Sequence, residues 1–161
     1  MTCEHRVPGT PVRRVPHPGG RAALFGYAQF HYYKSGTGSG GLVNVTHVPN
    51  LPEILGGDGG YRLDAEVQAR YAAWLADHPY EMGTGWAQEP WFQPEMPLDE
   101  EFVRAAAQRA DTAFIVIGRT AGEDHDNTNT PGSFLLTEDE ENMLALVCRY
   151  FDKSVVLLNV G

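Results

Sequence analysis

Apolar residues recur along this chain in two periods, and the change from one to the other marks out its elements. Residues 112–117 (TAFIVI) form an uncharged run of β-branched and aromatic side chains, the pattern of a strand buried on both faces of a parallel sheet. Residues 155–160 (VVLLNV) repeat that pattern, and residues 21–25 give a shorter version that stops at Gly26. Elsewhere the period is helical. Val67, Tyr71, Trp74, Leu75 and His78 follow at helix spacing behind Asp64, whose carboxylate can cap the helix start, and Pro79 ends the segment. Phe102, Val103, Ala106, Ala107 and Ala110 make a second stripe behind Asp99, with Glu100 and Glu101 at the positive end of the helix dipole. Thr137 and Glu140 are spaced as a capping box ahead of a third stripe of Met143, Leu144, Val147, Cys148 and Phe151. The acidic run at 138–141 is therefore a helix start and not a metal cluster.

The segments between these elements are of several kinds. Residues 1–20, rich in Pro, Gly and Arg, predict an extended arm, and residues 21–161 a single domain. Residues 42–49 (LVNVTHVP) alternate like a strand, whereas Pro52 and four glycines within 50–61 predict a break between elements. Residues 80–97 are irregular and carry Trp86, Trp91 and Phe92. The sum is an α/β fold with a mainly parallel sheet flanked by helices. With right-handed crossovers, the loops after the first strand and after residue 117 leave the same sheet edge, where open α/β sheets hold their ligands. That inference requires the two strands to be parallel.

Both loops carry candidate chemistry. Gly118 ends the apolar run, and residues 119–131 are polar and rich in Asp, Asn, Thr and Gly, with Glu123 in their middle. A solvated surface carboxylate is the plain reading of Glu123. The sharper reading is a general acid, because Asp124 and Asp126 close by favour its protonated form. A calcium loop does not fit, since Asn129 stands at the glycine position and Leu135 at the closing glutamate. Residues 34–41 (KSGTGSGG) form the other loop, in which Ser39 is either a turn residue or a ligand contact. No phosphate motif fits: the lysine precedes the glycines, and the following residues alternate as a strand instead of opening a helix. Trp86 and Trp91 either pack in the core or offer faces on which sugar rings stack.

Net charge narrows the ligand class. At −9 over 161 residues, the chain is unsuited to nucleic acid and to anionic membrane surfaces, and an uncharged substrate suits it better. Cys3 and Cys148 are the two cysteines and form no paired framework, so reduced thiols and a cytoplasmic setting are expected. No apolar run is long enough to span a membrane, and the N-terminus lacks a signal-peptide pattern.

The stretch GRTAGEDHDN after a buried strand, followed by a capped helix and VVLLNVG, resembles the α/β-sandwich domain of glycoside hydrolase family 3, the β-glucosidase type. Upstream, LFGYAQFHYYKSGTGSGGLVN resembles that domain's first strand and Gly-Ser loop, in the expected order. The resemblance implies a partial, flavodoxin-like (α/β)6 sandwich, truncated on its C-terminal side. It implies that Glu123 is the general acid/base of a retaining β-glycosidase and that Ser39 contacts the sugar in the cleaved subsite. It implies no cofactor and no metal, and a nucleophilic aspartate supplied by a (β/α)8 barrel that this chain lacks. Little or no turnover is therefore expected of the chain alone; no motif of the family fixes Trp86 or Trp91, and it is as loop aromatics that either is expected to wall the site of the leaving sugar. The family's helix and strand reading roughly GxVLLKN before the first core strand are missing. The parent is accordingly expected either to carry its domains in permuted order or to be longer than this piece. Two alternatives stay open: a non-catalytic carbohydrate-binding or interface module, and a phosphate- or nucleotide-binding flavodoxin-like domain. The sequence leaves the oligomeric state open.

Overall fold

The computed structural model describes residues 19–33, 36–39, 46–58, 60–123 and 126–160. Four strands, β1 (Arg21–Phe25), β2 (Arg62–Leu63), β3 (Thr112–Arg119) and β4 (Ser154–Val160), form one sheet in the order β2-β1-β3-β4. Every pairing is parallel. The helices are α1 (Leu51–Gly56), α2 (Ala65–Asp77), α3 (Glu100–Arg109) and α4 (Glu138–Tyr150). Alternate residues of the strands feed two cores. Ala23, Phe25, Ile115 and Ile117 pack against Val67 and Tyr71 of α2, Val103 and Ala106 of α3, and Met143 and Val147 of α4. Ala22, Leu24 and Phe114 face the other way, against Tyr61 and the half-buried Leu51 and Leu55 of α1. The α/β class and the parallel sheet read from the sequence are those of the structure.

Local chemistry explains where the helices start. Asp64, Asp99 and Thr137 each accept a hydrogen bond from the backbone N–H three residues on, and the Glu140 carboxylate accepts the Thr137 N–H to complete the capping box. The break expected over residues 50–61 is instead interrupted by α1, which Asn50 caps by accepting from the Glu53 N–H. Pro52 suits its first turn, where no N–H partner is needed, so a residue read as a breaker is a starter. Of the strand expected over 42–49, residues 42–45 lie outside the described residues, and residues 46–49 are not in a strand.

Two strands differ from expectation at their ends. β3 continues through Gly118 to Arg119, which pair with Asn159 and Val160 of β4, and a Cβ at Gly118 would stand 2.7 Å from that of Ala28 and 3.0 Å from the Tyr33 ring. The glycine admits packing there and does not end the strand. For β4 the sequence predicts burial on both faces, yet Val156, Leu158 and Val160 are exposed. Among the described residues it pairs with β3, and Val155 and Leu157 on its other face pack against the smaller core.

Polar links tie the helices to this frame. Arg109 near the end of α3 donates to both oxygens of Asp64, at 2.7 and 3.2 Å. Burial alone would raise the Asp64 carboxyl, but the Arg109 hydrogen bond and the Val67 amide bring it below its ordinary value. Arg119 at the end of β3 is 6% exposed and forms a bidentate pair with Glu140 of α4, at 2.7 and 2.6 Å.

Asp64→Ala removes a cap and a buried ionic partner, and is expected to cost about 2–3 kcal/mol at pH 7 in chemical denaturation. A depressed folded-state value gives stability that is present above the unfolded carboxyl range and lost as pH falls through the folded value. The gap between variant and wild type should therefore narrow in acid below the usual Asp range. Arg119→Met leaves Glu140 buried without its counter-charge and is expected to cost about 3–5 kcal/mol. Replacing both partners with apolar residues should recover part of that loss.

Candidate active site

The parallel register of β1 and β3, Ala22 to Phe25 against Thr112 to Ile115, sends both following loops off one edge of the sheet. The two loops then meet. Thr37 and Gly122 form an isolated parallel bridge, and the Thr37 N–H donates to the Ala121 carbonyl at 2.9 Å. Ser39 Oγ lies 2.9 Å from Glu123 Oε2, and the Ser39 N–H lies 3.4 Å from the same oxygen. The two residues singled out in sequence, 84 positions apart, are thus in direct contact.

Glycine makes the approach possible. Gly38 has φ +77°, and a Cβ there would come within 2.9 Å of the Glu123 Cβ. A Cβ on Gly122 would stand 2.6 Å from the Thr37 carbonyl oxygen, so a side chain at that position would separate the loops.

The tryptophans have different places. Trp86 is 56% exposed, and its ring edge comes within 3.4 Å of where a Gly38 Cβ would be, beside the Ser39–Glu123 pair. Trp91 is half-buried, and its carbonyl accepts the Thr120 N–H at 2.9 Å, so its backbone supports the root of the Glu123 loop. Asp124 and His125 lie outside the described residues, so the expected influence of Asp124 on Glu123 falls there too. Asp126 is exposed. Among the described residues, no group of three or more His, Cys, Asp or Glu side chains is placed to hold a metal ion.

A cleft of about 360 Å³ is walled by His31, Tyr32, Tyr33, Tyr80, Met82 and Glu89 and edged by Gly36 and Thr120, which belong to the two loops. Burial lowers the His31 imidazole from its ordinary value and raises the Tyr33 and Tyr80 phenols above theirs. These rings are uncharged at neutral pH. A largely aromatic wall that also carries Glu89 suits a ligand with apolar faces and hydroxyls better than an anion.

Three residues missed in sequence hold the two loops. The Asn159 side chain of β4 accepts from the Tyr33 N–H at 2.7 Å and donates to the Tyr33 carbonyl at 3.0 Å, gripping the Gly-Ser loop as a second strand would. Arg119 also donates to the carbonyls of Gly118, Ser133 and Leu135, fixing the far side of the Glu123 loop. Glu95 is buried under the turn that follows β1. The only signal in sequence is a polar residue ending an apolar run, for Arg119 and Asn159. For Glu95 there is none.

No family model matches the sequence. Among curated proteins, a β-glucosidase of Ruminococcus albus is 50% identical over 138 residues, which is 86% of this chain and 14% of that protein. Beta-glucosidase A of Butyrivibrio fibrisolvens is 32% identical over 94% of this chain and 20% of its own length. Among solved structures, a β-glucosidase from Paenibacillus barengoltzii superposes with a TM-score of 0.84 at 45% identity, over 88% of this chain and 15% of that one. Beta-glucosidase 3B of Thermotoga neapolitana, solved with glucose, gives 0.76 at 28% identity, over 91% and 21%. The chain thus spans about a seventh to a fifth of the proteins it matches. By sequence and by fold, the chain is homologous to a small part of the glycoside hydrolase family 3 β-glucosidases.

Proposed function

We propose that this chain supplies the general acid/base, Glu123, and part of the sugar site of a retaining β-glucosidase whose nucleophile stands on a (β/α)8 barrel outside these residues. The observation that carries the reading is the contact of Ser39 with Glu123 at the sheet edge where the two loops meet. Retaining hydrolysis needs two carboxyl groups about 5–5.5 Å apart. In the first step Glu123 gives its proton to the glycosidic oxygen as the C–O bond breaks and the barrel carboxylate bonds to the anomeric carbon. In the second step Glu123 takes a proton from water, whose oxygen displaces that carboxylate. Ser39, donating to Oε2, orients the carboxyl so that Oε1 faces the leaving oxygen. Trp86 forms an apolar wall against which the leaving sugar stacks. The chain alone, with one of the two carboxyl groups, has little or no turnover.

Of the other classes, phosphate binding is disfavoured by the loop itself. The Thr37 and Ser39 amides already point at the Ala121 carbonyl and the Glu123 carboxylate, and a carboxylate in that place repels an anion. A non-catalytic sugar-binding module would keep the exposed Trp86 but would be indifferent to the ionisable group at 123.

Two experiments on the longer polypeptide, with this domain joined to its barrel, test the reading. Glu123→Ala should lose about 10²- to 10⁴-fold on disaccharides. On an aryl β-glucoside whose leaving group needs no acid, its turnover should be low and restored by azide, with glycosyl azide as product. Wild-type turnover of the variant on both substrates would overturn the assignment. Trp86→Ala should lower kcat/KM on disaccharides by about tenfold and change the aryl glucoside less, as loss of one stacking face implies. An equal effect on both substrates would remove Trp86 from the leaving-sugar site.

A further inference from the structure

Glu95 is 6% exposed and lies in the irregular segment that precedes α3. Three donors converge on its carboxylate: the Tyr27 N–H on Oε2 at 2.7 Å, and the Met96 N–H and Tyr71 hydroxyl on Oε1 at 2.9 and 3.0 Å. The Tyr71 oxygen accepts the Gly26 N–H at 2.8 Å, and its hydroxyl is 3.8 Å from the Met143 sulfur. Gly26 and Tyr27 are the residues through which the chain leaves β1 on its way to Ser39. A Cβ at Gly26, where φ is +104°, would stand 2.1 Å from the Val116 carbonyl oxygen, so the turn lies directly on β3. The buried carboxylate and phenol therefore hold the two amides at the root of the Gly-Ser loop.

The hold extends towards the site. His31 stacks on Tyr27 at 5.6 Å and packs against Tyr80 at 4.9 Å, while the Tyr33 ring lies against Gly118. His31 and Tyr33 line both the small gap above Glu95 and the cleft edged by Gly36 and Thr120 of the two loops. The root of the loop, its middle at Tyr33 and its end at Thr37 are thus secured by Glu95, Asn159 and Ala121 in turn.

We propose that Glu95 is a positioning residue for the Ser39–Glu123 pair, its carboxylate locking the Gly26–Tyr27 turn and its protonation loosening that lock. The proposal rests on the reading of Glu123 as the acid/base. The chemistry of the cluster gives the mechanism. Both N–H groups can only donate, so a proton taken up by Glu95 has one place to point, from Oε1 to the Tyr71 oxygen. The Tyr71 proton then turns to the Met143 sulfur, a weak acceptor, and the two amides face a neutral oxygen in place of a charged one. Three charge-assisted bonds weaken together.

The surroundings bring this exchange into the working range of pH. Burial raises the Glu95 carboxyl to about 7 against the three donors, which lower it, and Glu140 adds to the rise. The titratable and charged groups that face the cluster are Tyr71 and Arg70 from α2, Tyr27, His31 and Tyr33 from the turn and loop after β1, Glu140 from α4, and Arg119, which reaches Tyr33 and pairs with Glu140.

The test is a pH titration of the 161-residue chain by NMR, reading the Glu95 side-chain carbon and the amides of Tyr27, Thr37 and Ser39. It is run in wild type and in Glu123→Gln, where the 123 side chain no longer titrates. Glu95 should show a midpoint near neutral pH, and all three amides should follow that midpoint in both proteins. In Glu95→Gln that component should vanish. Tyr71→Phe, which removes one donor and keeps the ring, should move the Glu95 midpoint upward. If the Thr37 and Ser39 amides stay still in Glu123→Gln while Glu95 and Tyr27 titrate, Glu95 does not reach the site and the proposal fails. It fails too if Glu95 titrates in the ordinary carboxylate range. Neither readout needs turnover, so a Glu123 that is not the acid/base would show up in the azide experiment and leave this titration unchanged.

Discussion

The parallel pairing of β1 with β3 is the constraint on which the rest of this structure depends. Parallel neighbours must be joined by a crossover, and here the crossover is long: it holds the Gly-Ser loop, α1, β2, α2 and α3 before the chain returns to the sheet at Thr112. Because the return is parallel, the ends of β1 and β3 lie side by side, and the loops leaving the two strands emerge on one edge. A single bridge between Thr37 and Gly122 then suffices to bring Ser39 against Glu123. With β1 reversed, its loop would leave from the opposite edge.

Around that edge the molecule buries charged groups. Glu95, Arg119 and Glu140 are all nearly inaccessible, and each is held by several hydrogen bonds. Apolar substitutes of similar volume would often serve stability as well or better, since the desolvation of a buried ion pair offsets most of its attraction. What these groups add is direction. Arg119 binds three carbonyls and one carboxylate with a planar fork, and Asn159 matches both backbone groups of Tyr33, so each loop has a fixed path where packing alone would leave several. Ordered loops of this kind hold reacting groups at defined distances.

How far the sequence announces this arrangement varies with the kind of physics involved. Helix caps are legible because they depend on one side chain and a backbone amide three residues away; Asp64, Asp99 and Thr137 stand where the periodicity puts them. The runs at 112–117 and 155–160 declare strands; the first is buried on both faces in this chain, and the second exposes Val156, Leu158 and Val160. Pro52 and the nearby glycines mislead in the other direction, because proline breaks a helix interior and suits a helix start. Glu123 and Ser39 stand out through motif resemblance, and their contact comes from topology. Glu95 is invisible because only its Met96 amide donor is local: its other partners are Tyr27 and Tyr71, the latter in turn accepting from Gly26, and only the fold assembles them.

Amide hydrogen exchange at Thr37 tests most directly whether this chain assembles the two loops by itself. The account requires the Thr37 N–H, bonded to the Ala121 carbonyl, to exchange at least about tenfold more slowly than in an unstructured peptide. In Gly122→Val that protection should disappear while the amides of β3 stay protected. Exchange of Thr37 at the free-peptide rate in an otherwise folded wild-type chain would contradict the account, for the Ser39–Glu123 pair would then not be built by these residues alone.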